Sequence, residues 1–228
     1  MKSTPIRTSI FTEDESLAAF IVRHIPRVKD GSILAVASKI VALSEGRTAD
    51  VKDKEALIVS ESTWRMKILP KWWLTVRDGV AIVNAGIDES NSDGRLILLP
   101  EDCFKAADQL RKELLREYGV SNLGIVITDS RVAPLRAGVT GVALGYAGFR
   151  GVRDYRGERD IFGKQLEVTQ TNVADSLATV ATLLMGEGAE QQPLVVIEDV
   201  PVQFAGAIDR AEVLIPLEED MYRRLFSD

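Results

Sequence analysis

LGIVITDS, residues 123–130, is an apolar run rich in β-branched residues that ends in two polar ones, Asp129 and Ser130. This composition over this length predicts a strand. Similar apolar runs of strand length occupy residues 33–37, 81–87 and 194–199. The chain is therefore expected to build a sheet from several short apolar strands.

Helical patterns alternate with these strands. The predicted helices are one opened by the capping-box spacing of residues 12–15, one between Pro100 and Gly119, one from Thr171 or Asn172 to Gly186, and a short amphipathic one over 217–226. The signals are N-cap residues, glycines after the last turn, and apolar side chains recurring every three or four positions. This mixture predicts an α/β or mixed α+β fold with layered sheets, and no repeat or low-complexity linker divides the chain.

Composition excludes several classes of protein. With 228 residues, 46% hydrophobic and 27% charged, the chain suits a globular protein of one large or two small domains. The net charge of −6 argues against nucleic acid or an anionic membrane as the main partner. We recognise no signal peptide and no apolar stretch of the roughly 18 residues that span a membrane. The single cysteine, Cys103, excludes an internal disulfide and leads us to expect a cytoplasmic protein.

The chain contains one histidine, His24. A single histidine excludes, within one chain, multi-histidine zinc sites and motifs that pair two histidines. Because His24 follows Phe20 and Ile21 on the predicted first helix, we expect a partly buried structural role rather than catalysis. Any chemistry must therefore rest on carboxylates, hydroxyls, backbone amides and basic groups.

The stretch NAGIDESNSDG, residues 84–94, is more polar than a turn requires. Asp93-Gly94 alone is a sufficient turn signal after the preceding apolar run. The additional polar residues Asp88, Ser90 and Asn91 therefore call for another explanation.

Two further polar positions follow predicted elements. Asp129 and Ser130 end the strand at 123–130, and Glu187 lies between two glycines after the third predicted helix. Each fits a structural role by itself. Ligands of open α/β sheets collect at strand ends, and carboxylate and hydroxyl oxygens suit Mg²⁺ or Mn²⁺. Together with Asp88, these residues predict a metal site that holds substrate phosphates.

A long loop-like segment, LGYAGFRGVRDYRGERDIFGKQ at residues 144–165, carries four arginines. Unstructured loops of this length are usually functional or disordered, and the aromatic residues argue against disorder. One interpretation is an ordered loop that presents guanidinium groups to an anionic ligand. The other is a solvated hairpin whose arginines pair with Asp154, Glu158 and Asp160.

Known nucleotide motifs are missing, since the chain has no GxxxxGK[ST] and no GxGxxG after a strand. Five longer stretches resemble a known family instead. VNAGIDESN, GIVITDS, RAGVTGVALG, RDYRGERDIFGKQLEVTQTNVADSLA and LLMGEG occur in the order and spacing of the coenzyme F420 γ-glutamyl ligase family. The similarity is strongest over residues 83–200 and continues more weakly toward the N-terminus.

The resemblance implies one mixed α/β domain over 1–228, built from two intertwined subdomains and usually found as a homodimer. It implies an enzyme that adds L-glutamate to the deazaflavin precursor F420-0, using GTP and divalent metal, through an acyl phosphate. By the same resemblance, Asp88, Asp129, Ser130 and Glu187 would hold two Mg²⁺ or Mn²⁺ ions, with K⁺ as a further candidate. The implied nucleotide contacts are Ser38, Lys39, Asn91, Met185, Gly186 and Gly188. Arg136 would anchor a carboxylate or phosphate of a substrate, with Arg153 and Arg159 as weaker candidates.

The N-terminal part departs from the family pattern. Thr8-Ser9-Ile10-Phe11 stands where the family has Leu-Pro-Leu-Ile, and Leu43 stands where a lysine is expected. Lys39 could supply the charge, although as a strand neighbour of Ser38 it would point to the opposite face. The shortened segment 48–73 carries three tryptophans that fit a core or a subunit contact. A glutamate ligase for another acceptor, such as a folate, and a non-catalytic nucleotide- or metal-binding homologue therefore stay open as alternatives.

Overall fold

The computed structural model describes residues 1–13 and 15–226. The strands are β1 Lys2–Ile6, β2 Ser32–Ala37, β3 Thr48–Ala49, β4 Trp64–Leu69, β5 Trp72–Arg77, β6 Val80–Val83, β7 Leu96–Ile97, β8 Leu123–Val132, β9 Val139–Ala147, β10 Val152–Asp154, β11 Gln170–Asn172 and β12 Leu194–Glu198. The helices are α1 Leu17–His24, α2 Ser38–Ser44, α3 Lys54–Ser60, α4 Cys103–Tyr118 and α5 Val173–Met185. This mixture confirms the predicted α/β class. Within the two described ranges, no helix is long and apolar enough to cross a membrane.

The central sheet has the order β1-β12-β2-β8-β9. Its inner pair, β2 and β8, is parallel, whereas the other neighbours are antiparallel. The parallel register pairs Ala37, the last residue of β2, with Thr128. The residues that follow, Ser38 and Asp129, therefore emerge at the same edge of the sheet.

Helices cover both faces of this sheet. Along β2, Leu34 and Val36 join the core that α1 and α4 contribute to, whereas Ile33 and Ala35 join the core formed with α5. Successive side chains of a strand point to opposite faces, so a strand covered on both sides is apolar throughout. This double cover explains why the sheet strands appear in the sequence as unbroken apolar runs.

A second, antiparallel sheet has the order β4-β5-β6 and lies beside a small separate core. That core consists of Ile58, Ala85, Ile87, Leu96 and Leu98. The division of the chain into two intertwined subdomains stays a prediction, although this second core is consistent with it.

The second and third predicted helices are confirmed, and they end at the predicted glycines, Gly119 and Gly186. The Asp102 side chain accepts a hydrogen bond at the N-terminus of α4, and Gly119, with φ 63°, ends that helix in the left-handed conformation. Asn172 caps α5 in the same way as Asp102 caps α4.

The predicted capping box at residues 12–15 is wrong. Helix α1 begins only at Leu17, and its N-cap is Ser16, whose hydroxyl accepts from the Ala19 N–H. Ser16 is an equally favoured cap and directly precedes the apolar run, so the helix starts there. Asp14, the third residue of the predicted box, lies outside the described residues.

Two other predicted elements differ from the structure. The strand expected over 81–87 ends at Val83, because Asn84 and Ala85 take left-handed conformations and the Asn84 carboxamide accepts from the Trp73 N–H. The helix expected over 217–226 is replaced by short 3₁₀ turns at Leu217–Glu219 and Arg223–Leu225. There, the Asp220 carboxylate accepts the N–H of Tyr222, and such side-chain bonds compete with a helix.

The arginine-rich segment forms an extension whose base is the antiparallel pair β10–β11. Three of its arginines have local partners, whereas Arg150 pairs with the distant Glu212 at 3.7 Å. Arg156 pairs with Asp154 at 2.6 Å, Arg153 lies over the Tyr155 ring at 4.7 Å, and Arg159 donates to the Gly163 carbonyl at 2.6 Å. The hairpin interpretation is therefore correct for Asp154. Asp160 instead accepts backbone N–H groups of its own turn.

Candidate functional site

The parallel strands β2 and β8 bring the first polar residues together. The Ser38 hydroxyl donates to one carboxylate oxygen of Asp129 at 2.8 Å, and the Ser130 N–H donates to the other at 2.7 Å. Burial raises the pKa of Asp129 to about 6, against the lowering effect of these two hydrogen bonds. The negative charge of Asp88 adds to the increase, so the two carboxylates lie within electrostatic reach of each other.

Lys39 points into the site, contrary to the expectation that it would face away. Its ammonium donates to the Asp88 carboxylate at 2.7 Å and to the backbone carbonyl and hydroxyl of Ser90 at 2.9 and 3.1 Å. The expectation was wrong because Ser38 and Lys39 are the first residues of α2 rather than the last of β2. Successive side chains are about 100° apart on a helix instead of on opposite faces.

Asp88 is fixed by its own turn. Its backbone exchanges two hydrogen bonds with Ile97, and its carboxylate accepts the N–H and the hydroxyl of Ser90, both at 2.7 Å. Partial burial opposes ionisation of Asp88, but the hydrogen bonds from Lys39 and Ser90 outweigh it, so its pKa lies below the ordinary value. The polar residues beyond the minimum turn thus build a pre-formed carboxylate cluster.

The loop after α5 supplies another side of the site. Gly186 ends α5 with φ 77°, and a Cβ at this position would overlap the Glu190 carboxylate. The same carboxylate accepts the Gly188 N–H at 2.8 Å, while the Asn91 carboxamide donates to the Gly188 carbonyl at 3.3 Å. Through Asn91, the loop after α5 is connected to the polar stretch 84–94.

Two cavities meet at these residues. The larger cavity, of about 730 Å³, is bounded by the N-terminal segment, α2, the end of β8 and the loop after α5. The smaller cavity, of about 520 Å³, lies against β6 and the β8–β9 hairpin. The cavities share Asp88, Asp129 and Ser130. The predicted site residues that line the larger cavity are Ser38, Lys39, Asp88, Asn91, Asp129, Ser130, Met185, Gly186, Glu187 and Gly188. The three predicted arginines, Arg136, Arg153 and Arg159, line neither cavity.

The donor set suits a hard cation that keeps some water. Asp88, Asp129, Ser130 and Glu187 offer only oxygen ligands, which Mg²⁺ and Mn²⁺ prefer. Among residues 1–13 and 15–226, however, no three acidic, histidine or cysteine side chains lie close enough together to hold an ion by themselves. An ion here would need further oxygens from water and phosphate, as Mg²⁺ commonly does.

His24 lies outside both cavities and has a structural role. Its Nε2 accepts the Ser9 N–H at 3.1 Å, which leaves the proton on Nδ1 to be donated to the Phe20 carbonyl at 2.9 Å. Ser9 lines the larger cavity within the segment Thr8–Phe11, all four residues of which line that cavity. His24 thus holds that segment against α1, in agreement with the structural role predicted for it.

Arg136 lies in the exposed turn between β8 and β9 and lines neither cavity. Its role as a substrate anchor stays a prediction. Arg131, which sequence reasoning missed, lines the smaller cavity and pairs with Asp175 at 3.2 Å. A signal for it existed, because residues two apart on a strand share a face and Asp129 precedes it by two.

Two other residues at the cavities were not predicted. Trp72 lines the smaller cavity, whereas the sequence suggested a core or subunit contact for it. Glu190, which binds the glycine loop, lines the larger cavity. The position of Trp72 depends on contacts with distant segments, which no local pattern predicts. Glu190, in contrast, lies only two residues after Gly188, whose N–H it accepts.

Comparison with known proteins identifies the family. Residues 56–199 match the family model described as F420-0:Gamma-glutamyl ligase. The coenzyme F420:L-glutamate ligase of Methanococcus maripaludis is 33% identical over 92% of this chain and 92% of its own length, and that of Archaeoglobus fulgidus is 33% identical over 94% and 93%. The corresponding protein of Halorubrum lacusprofundi is 35% identical over 82% of each chain. The resemblance stated from the sequence is thereby confirmed: this chain belongs to the F420-0:gamma-glutamyl ligase family.

Proposed function

We propose that this protein is a nucleotide- and metal-dependent ligase that adds L-glutamate, through an amide bond, to the carboxylate of F420-0. The observation that carries the proposal is the convergence of four separate segments on one cavity: the start of α2, the stretch 84–94, the end of β8 and the loop after α5. The relatives named as coenzyme F420:L-glutamate ligases support the reaction class and the acceptor.

The proposed reaction has two steps. In the first step, an acceptor carboxylate oxygen attacks the γ-phosphorus of GTP, and the bond from that phosphorus to the β–γ bridging oxygen breaks. The products are an acyl phosphate of the acceptor and GDP. The amine of L-glutamate then attacks the acyl carbon, loses a proton and expels inorganic phosphate, so that the amide remains. Both steps depend mainly on positioning and charge neutralisation, so a site without histidine can support them.

In this proposal, residues of the larger cavity hold the nucleotide. The glycines of the loop after α5 let phosphate oxygens approach the backbone, where the Gly188 N–H would exchange its bond to Glu190 for one to phosphate. Leu43 stands at the position where the family is expected to have a lysine. The Lys39 ammonium would supply the missing positive charge. Ser38 orients the Asp129 carboxylate by its hydrogen bond.

Asp88, Asp129, Ser130 and Glu187 would hold the divalent metal, which we propose to be two Mg²⁺ or Mn²⁺ ions. Bound there, the ions would neutralise the charge of the triphosphate. K⁺ is proposed only as an additional cation. GTP rather than ATP is proposed from the family resemblance alone.

We also propose that the protein is a homodimer. Three large apolar side chains, Leu135, Ile161 and Phe162, are almost fully exposed on the β8–β9 turn and on the arginine-rich extension. A second copy that covers them would remove this apolar surface from water. Light scattering coupled to size exclusion would give the mass of a dimer, and a monomer at micromolar concentration would contradict the proposal.

The ligase proposal is tested by mass spectrometry of a reaction with the protein, Mg²⁺ or Mn²⁺, GTP or ATP, L-glutamate and F420-0. We expect a product heavier by one or more glutamyl units that forms only when metal and nucleotide are both present. Parallel reactions with a folate acceptor test the alternative within the same chemistry. If every acceptor stays unmodified although the protein binds nucleotide, it is a non-catalytic binding homologue.

A further inference from the structure

The smaller cavity shares Asp88, Asp129 and Ser130 with the larger one, but the rest of its lining has no role in the proposed binding of nucleotide and metal. Beyond those three residues its lining is mostly apolar. The apolar side chains that line it are Trp72, Ile82, Val83, Ile87, Val132 and Val139. With about 520 Å³, it has the size of a small-molecule site.

We propose that the smaller cavity binds the acceptor's ring system, a planar aromatic group with a side chain that ends in a carboxylate. Trp72 would pack against the ring, and the carboxylate would lie beside the shared residues Asp88, Asp129 and Ser130, where the Lys39 ammonium on Asp88 offsets the repulsion between carboxylates. This inference rests on the proposed ligase function and adds to it the acceptor subsite and its specificity residue.

The position of the cavity supports this assignment. Transfer of the γ-phosphoryl group requires the nucleotide and the acceptor carboxylate to meet at one point from different sides. The residues predicted to bind nucleotide, including the glycine loop and Lys39, line only the larger cavity. The acceptor therefore needs a second space that opens onto the same carboxylates, and the smaller cavity is such a space.

The side chains suit an aromatic acid. Trp72 is 54% exposed at the first position of β5, so its ring is available to a ligand rather than used in the core. Offset stacking on such a ring is favourable beyond the area that it buries. Arg131 lines the same cavity and pairs with Asp175 at 3.2 Å through one end of its guanidinium, which can also bind an acidic group of the acceptor.

The test compares Trp72→Ala with Trp64→Ala. Trp64 belongs to the same small sheet but packs against Phe226 and lines neither cavity. F420-0 binding is measured in the absence of glutamate by the fluorescence anisotropy of the deazaflavin ring, and nucleotide binding by calorimetry with a non-hydrolysable GTP analogue. We expect Trp72→Ala to weaken F420-0 about tenfold and nucleotide less than twofold, and Trp64→Ala to change neither.

A second variant, Val139→Trp, fills the cavity from the β9 side and should abolish F420-0 binding while nucleotide binding persists. Unchanged F420-0 affinity in both cavity variants would overturn the acceptor site and leave the ligase proposal intact. If folic acid binds in place of F420-0 and its affinity depends on Trp72, the acceptor subsite is supported, and only F420-0 as the acceptor is refuted. If neither ring compound binds the wild-type protein, the proposed acceptor subsite is refuted. The ligase proposal is tested separately, by the mass-spectrometric assay for glutamyl addition.

Discussion

At the scale of single residues, the carboxylates of the site differ in how they are held. Asp88 is kept ionised by Lys39 and Ser90, whereas burial makes Asp129 harder to ionise. The Lys39 ammonium already lies at one oxygen of the Asp88 carboxylate. The site is thus pre-arranged for positive charge, and a bound ion would share Asp88 with Lys39 or displace it.

Replacing Asp88 by asparagine should abolish metal-dependent turnover while the fold persists. The change removes the negative charge that attracts the cation, and losing one such pre-arranged electrostatic group typically costs on the order of a hundredfold or more in rate. Steady-state kinetics and calorimetric titration with Mn²⁺ in the presence of nucleotide measure the two effects. The matched control is Glu89→Gln, because Glu89 pairs with Lys54 and lines neither cavity. Full activity in Asp88→Asn would refute the metal assignment.

Cys103 should be inert to thiol reagents in the native protein. Burial raises the pKa of this thiol to about 12, so the reactive thiolate is scarce at pH 8. We expect no reaction with a disulfide reagent until urea unfolds the chain, when one thiol per molecule becomes titratable. The stabilising effect of this buried thiol is complete below pH 9 and is lost as the pH rises toward 12, because the unfolded thiol ionises first. Rapid labelling at pH 8 without denaturant would contradict this.

At the scale of elements, strand β9 depends on close approach to the helices that cover it. A Cβ at Gly145 would overlap the backbone carbonyl of Cys103 at the start of α4, and one at Gly141 would overlap that of Ala178 in α5. Backbone atoms cannot move aside as a flexible side chain can. The two glycines therefore set how closely α4 and α5 pack on opposite faces of the sheet.

Gly145→Ala should lower the free energy of unfolding by about 2 kcal/mol or more, because the added methyl group overpacks the contact between β9 and α4. Urea unfolding followed by circular dichroism measures the change. Gly206→Ala is the matched control, since a Cβ there meets open space and the backbone is not left-handed. Equal stability of the two variants would show that α4 can move away at little cost.

At the scale of the whole molecule, a charged cluster joins the small sheet to the central part. Glu61, after α3, contacts both Arg47 at 2.6 Å and Arg77 at 2.8 Å, and Arg77 also donates to the Pro100 carbonyl. Arg77 is only 8% exposed, and its charge is compensated mainly by Glu61, because the other carboxylate near it, Asp78, lies farther away at 3.5 Å. The cluster holds β5, the end of α2 and the start of α4 in one arrangement.

Glu61→Gln should destabilise the protein by about 3 kcal/mol, because it leaves the buried guanidinium of Arg77 with only the more distant and exposed Asp78 as its counter-charge. The control Glu55→Gln removes a solvent-exposed partner of Lys67 and should cost less than about 1 kcal/mol. Chemical unfolding of both variants measures the difference. If Glu61→Gln lowers the free energy of unfolding no more than the control does, other groups compensate the charge of Arg77 sufficiently.

Much of the fold and of the site was predictable because its signals are local. The apolar strands, the caps of α4 and α5 and the polar strand ends follow from neighbouring residues, and long unusual stretches such as RDYRGERDIFGKQ pointed to the family. Local signals gave wrong predictions where two local conformations were similar in free energy. Ser16 replaced the predicted capping box because either cap is favoured, and the Asp220 turn replaced the C-terminal helix.

By itself, the sequence determined which residues carry carboxylate and hydroxyl groups at the ends of strands and helices, and most of the segments that form strands and helices. Only the tertiary structure decided which of them meet. The parallel register of β2 and β8 places Ser38 beside Asp129, the start of α2 turns Lys39 onto Asp88, and the packing of β6 against the β8–β9 hairpin opens the second cavity. The Ser38–Asp129 and Lys39–Asp88 contacts join residues 91 and 49 positions apart in the chain. Their geometry is set by how whole strands and helices pack, which no local pattern encodes.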